Sequence, residues 1–198
     1  TLRFTIIADN LLSGAAQKSV FNYDRWLIAG AQQCSALHAR RIGADRFFES
    51  AMITTLTPGE CLTEIRLPAW EGTRIGSGFA EVNTRRSDFA ICAAAAQLAL
   101  DADGTCRRLH VAVGGCAPAP LRLGAIEDAL TGTPLDDETV ARECGRIAEL
   151  VDPESDIHAG ADYRRRVAAT LAARAIRQAR DEARGKAGNG NGTGAGAP

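Results

Sequence analysis

The stretch that decides the fold runs from Gly78 to Arg122, GFAEVNTRRSDFAICAAAAQLALDADGTCRRLHVAVGGCAPAPLR. Its apolar run halts at Asp101-Ala102-Asp103-Gly104, a turn sequence in which the glycine can supply a positive φ. Beyond the turn, Leu109, Val111 and Val113 alternate with Arg108, His110 and Ala112, the period of two that belongs to a strand with one wet face. Gly114-Gly115 closes that strand. Ala93 to Ala96 pulls the other way, because alanine is the best helix former. A turn followed by a clear strand predicts that the alanine run is the first arm of a hairpin. Arg85, Arg86 and Asp88 form a charged lead-in to it.

Composition bounds what such a chain can do. It has 198 residues, 45% hydrophobic and only 5% aromatic, which suits one or two compact, alanine-rich α+β domains. The net charge is −1 with both signs interspersed, so the electrostatic footprint of a nucleic-acid or anionic-membrane binder is missing. Partners are expected among proteins and small molecules. No apolar run approaches the ~20 residues that span a bilayer, and the N-terminus lacks the basic and apolar segments of a secretion signal. A cytoplasmic location is expected, and a first residue other than Met is expected of a piece of a longer chain. Cys34, Cys61, Cys92, Cys106, Cys116 and Cys144 contain no CxxC pair and no Cys/His cluster. They are expected to be small apolar packing residues, with no disulfide between Cys92 and Cys106, which are out of register across the turn.

Working outward, residues 1–36 stay unassigned, with a strand expected at Arg3 to Ala8 and an apolar patch around Trp26 to Ile28. Asp45 to Phe48 predicts a helical turn and Glu60 to Leu67 a strand, and Pro68 to Gly72 connects to a second domain. Past the hairpin, Ala125 to Leu130 predicts a short helix closed by Gly132 in a left-handed cap. Asp136 or Asp137 caps a following helix whose Val140, Cys144, Ile147, Ala148 and Val151 form one buried stripe, stopped by Asp152-Pro153. The last helix is expected from about Asp162, burying Tyr163, Val167, Leu171 and Ala175. Arg164, Arg165, Arg174, Arg177, Arg180 and Arg184 are then expected on solvated faces. From Gly185 the chain is too rich in Gly and Asn to bury anything, so a disordered tail is expected over 185–198. The acceptor triplet Asn191-Gly192-Thr193 is expected to be idle.

Several of these residues also resemble a known family. Phe79-Ala80-Glu81-Val82, Arg85 with Asp88-Phe89-Ala90, Leu98 to Asp101 with Gly104, and Gly114 to Arg122 followed by Glu127, Leu130 and Gly132 resemble the C-terminal domain of the FAD-binding medium subunit of molybdenum hydroxylases, the xanthine and carbon monoxide dehydrogenase group. Ser155-Asp156-Ile157-His158 and Asp162 to Arg165 resemble the entry to its last helix. Phe47-Phe48, Thr55, Gly59-Glu60 and Glu64 to Pro68 resemble the close of its flavin-binding domain. The resemblance covers roughly Arg40 to Arg180. It implies an α+β chain divided into an unassigned 1–36, the C-terminal end of a FAD-binding domain at 37–72, and a C-terminal domain at 73–184 with a three-stranded antiparallel sheet packed on helices. It further implies an oxidoreductase subunit that passes electrons from molybdenum and iron-sulfur centres, held by a large molybdenum-cofactor subunit and a small 2Fe-2S subunit, through FAD to an external acceptor. Residues 1–36 do not resemble the glycine-rich flavin-phosphate loops that precede Phe47 in the family. A non-catalytic docking module that has lost FAD is therefore the competing expectation.

Chemistry candidates are few. Gly76-Ser77-Gly78 begins like a dinucleotide fingerprint, but the third glycine and the following helix start are missing, which leaves a flexible strand entry. His38, His110 and His158 stand apart, without ligand spacing. There is no serine elbow and no GxxxxGK loop. The resemblance supplies two cofactor-binding positions. Leu62 matches an apolar residue that packs on the flavin ring, and it reads equally well as core. Glu81 matches a Lys-or-Glu near the flavin, where a lysine could stabilise reduced anionic flavin and a glutamate could not do so directly; it reads also as an exposed strand carboxylate. Arg85 with Asp88 and Arg122 with a nearby carboxylate are expected to fix loops.

Overall fold

The computed structural model describes residues 2–4, 26–31, 40–50, 53–67, 70–72, 74–85 and 89–185. The N-terminal part is a four-stranded sheet made of β1 (Leu2–Phe4), β2 (Trp26–Ala31), β3 (Arg40–Gly43) and, later in the chain, an eight-residue strand at Glu60–Leu67, in the order β1, Glu60–Leu67, β2, β3. A 3-10 turn at Ala44–Arg46 leads to a small hairpin of β4 (Phe48–Ser50) and β5 (Ile53–Thr54), and the strand at Glu60–Leu67 is β6. The apolar patch at Trp26 to Ile28 is thus the start of a strand, antiparallel to both β3 and β6. The remainder of the strand expected at Arg3 to Ala8 lies outside the described residues beyond Phe4.

The second unit carries the hairpin. β7 (Ile75–Asn83), β8 (Ala90–Leu100) and β9 (Cys106–Gly114) form an antiparallel meander, and a two-residue strand, β10 (Leu121–Arg122), pairs with Val113 and Ala112. The sheet has four strands in the order β10, β9, β8, β7, not the expected three: after Pro120 the chain doubles back along β9 for two residues before entering a helix. The alanine run is a strand. Cys92 to Ala96 are buried without a break, as in a central strand covered on both faces. The turn behaves as its residues demand: Gly104 has φ 91°, Asp101 and Thr105 bond across the turn, and the Asp103 carboxylate accepts from Thr105 N–H at 2.9 Å.

Four helices follow: α1 (Gly124–Leu130), α2 (Asp137–Gly145), α3 (Ile147–Leu150) and α4 (Ala161–Ala183). Asp136 caps α2, accepting from Thr139 N–H at 2.8 Å, and Gly132 takes the left-handed conformation past α1. Val140, Cys144, Ile147 and Val151 are buried together as expected, but from two helices and the residue after them, not from one helix. Arg146 interrupts the α-helical ladder, so Val140 and Cys144 bury from α2 while Ile147 buries from α3, and Ala148 is only half-buried. In α4 the buried residues are Arg164, Ala168, Leu171, Ala172, Ala173, Ala175, Ile176, Ala179, Arg180 and Ala183. Tyr163, expected inside, is 39% exposed. One large cluster joins α1 to α4 to one face of β7–β9, and a separate small one gathers Ile42, Phe47 and Leu62. No helix among the described residues is long and apolar enough to cross a membrane. Residues 186–198, with most of the expected tail, lie outside the described set.

Candidate functional site

β7 faces two ways. On its helix side Gly76 and Gly78 lie so close to α4 that a Cβ at either would fall 1.9 Å from the Ala179 or Ala175 carbonyl oxygen. The Gly-Ser-Gly sequence is therefore neither a phosphate loop nor a loose strand entry; its glycines admit the helix backbone. The alanines of β8 and α4 serve the same close approach, which explains why a stretch of helix formers ends up as a strand. The free edge of β7 is also closed by α4: Ser77 N–H donates to Glu182 at 2.6 Å and Phe79 N–H to Gln178 at 3.2 Å.

The other face of the sheet carries Glu81, one of the two matched positions. Phe79 packs on Ala95 and Ala112, and Glu81, one pleat along from Phe79, is exposed opposite Ala93. The chain entering β7 crosses this face over β9, where the Trp70 ring meets His110 edge-on at 4.8 Å and Arg108 sits 4.4 Å over it. The Arg107 guanidinium holds the Glu71 carbonyl. Leu62, in β6, is 5% exposed among Ile42 and Phe47. The turn before it is fixed by Glu60, which pairs with Arg40 at 2.5 Å and accepts from Thr57 N–H at 2.7 Å. The hydrogen bond from Arg40 lowers the Glu60 carboxyl to about 2, with the Thr57 N–H next in effect. Leu62 and Glu81 thus stand in different sheets, one in an apolar cluster and one on an open strand.

Arginines build the rest. Arg164, in the first turn of α4, is buried and donates to the carbonyl oxygens of Ile91 and Gly115 and, at 2.6 Å, to Asp156. Asp156 also accepts from the His158 and Ala159 N–H groups, and these bonds together bring its carboxyl down to about 2. Arg180 donates to the Leu135 carbonyl and to Asp137, Arg177 to the Asp137 carbonyl, and Arg184 to the Pro134 carbonyl. The expectation that these arginines are solvated is thus wrong for Arg164 and Arg180. Periodicity sorts arginine with the polar face, whereas a buried guanidinium can satisfy several carbonyls at once. The acidic loop Ser155 to His158 just before the helix was the available signal. Arg122 does find its carboxylate: Glu127 takes it at 2.7 Å and also accepts from Val111 N–H at 2.9 Å, tying the loop, α1 and β9 together. Asp88, Cys34 and His38 lie outside the described residues, and no group of three metal-ligating side chains occurs among those described.

An antiparallel sheet with one long helix laid along it and short helices closing its end defines a small α+β domain that follows a separate sheet unit. Residues 77–179 match the CO dehydrogenase flavoprotein C-terminal domain, and the chain belongs to that family. It is 28% identical over 145 residues to the 6-hydroxypseudooxynicotine dehydrogenase complex subunit alpha of Paenarthrobacter nicotinovorans, covering 73% of this chain and 49% of that protein. It is 31% identical over 142 residues to the caffeine dehydrogenase subunit beta of a Pseudomonas species, covering 72% and 48%. Among solved structures, quinoline 2-oxidoreductase from Pseudomonas putida 86 superposes with a TM-score of 0.71 at 26% identity, over 81% of this chain and 54% of that one. The chain spans about half the length of the curated relatives it matches.

Proposed function

We propose that this chain is part of the flavoprotein subunit of a cytoplasmic molybdenum hydroxylase and assembles with a large molybdenum-cofactor subunit and a small 2Fe-2S subunit. The observation that carries this reading is the family match over residues 77–179, which coincides with the structural unit from β7 to α4. FAD, when bound, supplies the redox chemistry between the partners' centres and an external acceptor. The described residues fit the edge of a flavin site, not its phosphate cradle, since the Gly76 and Gly78 backbone is occupied by α4. The surface around Phe79 offers a flat apolar border for a planar ring, with the Glu81 carboxylate at its rim. Leu62 would contribute through the wall it forms with Ile42 and Phe47.

Co-expression with large and small subunits tests this: the expected outcome is a three-subunit complex with flavin absorbance. A chain that purifies with neither partners nor flavin overturns it, and a complex without flavin points to the docking module. Within a flavin-containing complex, Glu81→Lys places a positive charge where the reduced ring gathers negative charge, so the flavin midpoint potential is expected to rise while assembly is unchanged. An unmoved potential removes Glu81 from the flavin's surroundings.

A further inference from the structure

We propose that Cys92 and Cys116 form a redox-active dithiol, held with Sγ atoms 3.3 Å apart in the core, that closes to an intramolecular disulfide when the protein meets a hydroperoxide. The two cysteines are 24 residues apart and meet because of where the β8–β9 ladder ends. The β8–β9 ladder stops at Ala93 opposite Gly114, so the next residues on each side, Cys92 and Gly115, lie just past the last pair. Gly115 has φ 77°, and a Cβ there would fall 2.4 Å from the Ile91 carbonyl oxygen. Glycine is what lets this backbone turn and carry Cys116 over Cys92. Arg164 then binds the carbonyl oxygens of Ile91 and Gly115, the residues immediately preceding the two cysteines, and its own carbonyl oxygen lies 3.9 Å from the Cys116 sulfur.

The pair is also chemically unequal. The Sγ–Sγ hydrogen bond pushes Cys92 up and Cys116 down, and the nearby Arg164 charge favours thiolate at both. By contrast, burial is the main cause that pushes Cys106 up to about 11 and Cys144 up to about 12. The Cys116 sulfur, beside the exposed Gly115, is the one nearer solvent and acts as the nucleophile. It attacks one oxygen of hydrogen peroxide, the O–O bond breaks, and water leaves a sulfenic acid on Cys116. The Cys92 sulfur then attacks the Cys116 sulfur, the S–S bond forms, and the expelled hydroxide leaves as a second water with the Cys92 proton. Two thiols give up two electrons and one peroxide becomes two waters. A disulfide of about 2.05 Å needs the sulfurs to approach by roughly 1.3 Å, which side-chain rotation supplies. Entry is through the loop between β9 and β10, whose Gly115 and Pro118 are exposed.

The test is a thiol map of the full chain, alone and in its complex. The protein is treated natively with hydrogen peroxide, quenched, denatured, alkylated and digested for mass spectrometry. The expected result is the loss of two of six alkylatable thiols, a peptide pair joined through Cys92 and Cys116, and a rise in thermal midpoint that dithiothreitol reverses. Six alkylatable thiols after treatment, a bridge between other cysteines, or an over-oxidised Cys116 without a bridge each overturns the proposal. Cys116→Ser should abolish the midpoint shift; if that variant does not fold, the wild-type map still decides.

Discussion

Arg164 is surrounded by groups that need it. The Ile91 and Gly115 carbonyls belong to different strand ends, and Asp156 belongs to the loop before α4, so one guanidinium joins three chain segments. Arg164→Ala strands these acceptors, and the expected cost is about 2 kcal/mol of unfolding free energy, read from urea titration. Arg164→Lys is expected to recover only a part, because an ammonium is a point charge and cannot reach two carbonyls and a carboxylate in one plane. Asp156 gives the same node a pH signature. Its folded carboxyl is lowered to about 2 against an ordinary value of about 4. The stabilisation it carries is therefore complete above about pH 4 and lost as pH falls towards 2. Asp156→Asn is expected to flatten the fall of the urea midpoint over that window. An unchanged slope would mean that the carboxylate carries no linkage; a residual slope is expected from the other lowered carboxylates, Glu60, Asp103, Asp136, Asp137 and Glu143.

At the scale of the element, the contact between α4 and β7 is set by glycine and alanine. Gly78→Ala would place a Cβ 1.9 Å from the Ala175 carbonyl oxygen, and backbone cannot swing aside as a side chain can. The helix must move, at an expected cost of about 3 kcal/mol. Gly104→Ala is the control. It has φ 91° but nothing within 4 Å, so only local backbone strain opposes it, about 1 kcal/mol. Equal losses from the two substitutions in thermal or urea unfolding would show that close packing does not set the strand–helix distance. The hairpin itself was legible because period-two alternation and Asp-Ala-Asp-Gly are local signals that survive packing. The stripe of α4 was legible in part. Leu171 and Ala175 are buried as expected, yet in the first turns the helix buries Arg164 and Ala168 in place of Tyr163 and Val167, because buried carbonyls and close-packed alanines reward a different face than hydrophobicity does. The candidate site was less legible still. Leu62 and Glu81 came from resemblance alone, and the Cys92–Cys116 approach depends on a glycine turn that no periodicity encodes.

At the scale of the molecule, the apolar cores fall on either side of the connection at Trp70 to Gly72. The larger cluster draws all its members from Ala80 to Ala183, and the smaller one from Ile42 to Ile65. Among the described residues, β7 to β10 pair only with one another, and α4 both covers their sheet face and closes its β7 edge. A segment with its own core and no strand borrowed from the other sheet has what independent folding requires. Residues 73–184 produced alone are therefore expected to unfold in one cooperative transition, with circular dichroism and tryptophan-independent probes coinciding. The cation–π contact between Trp70 and Arg108 and the hold of Arg107 on Glu71 are lost in that piece, so its midpoint should fall slightly below that of residues 70–184. A broad, probe-dependent transition for the shorter piece would show that the sheet before Gly72 is part of the same cooperative unit. It would also move the family's domain boundary upstream of the linker that Trp70 pins to β9.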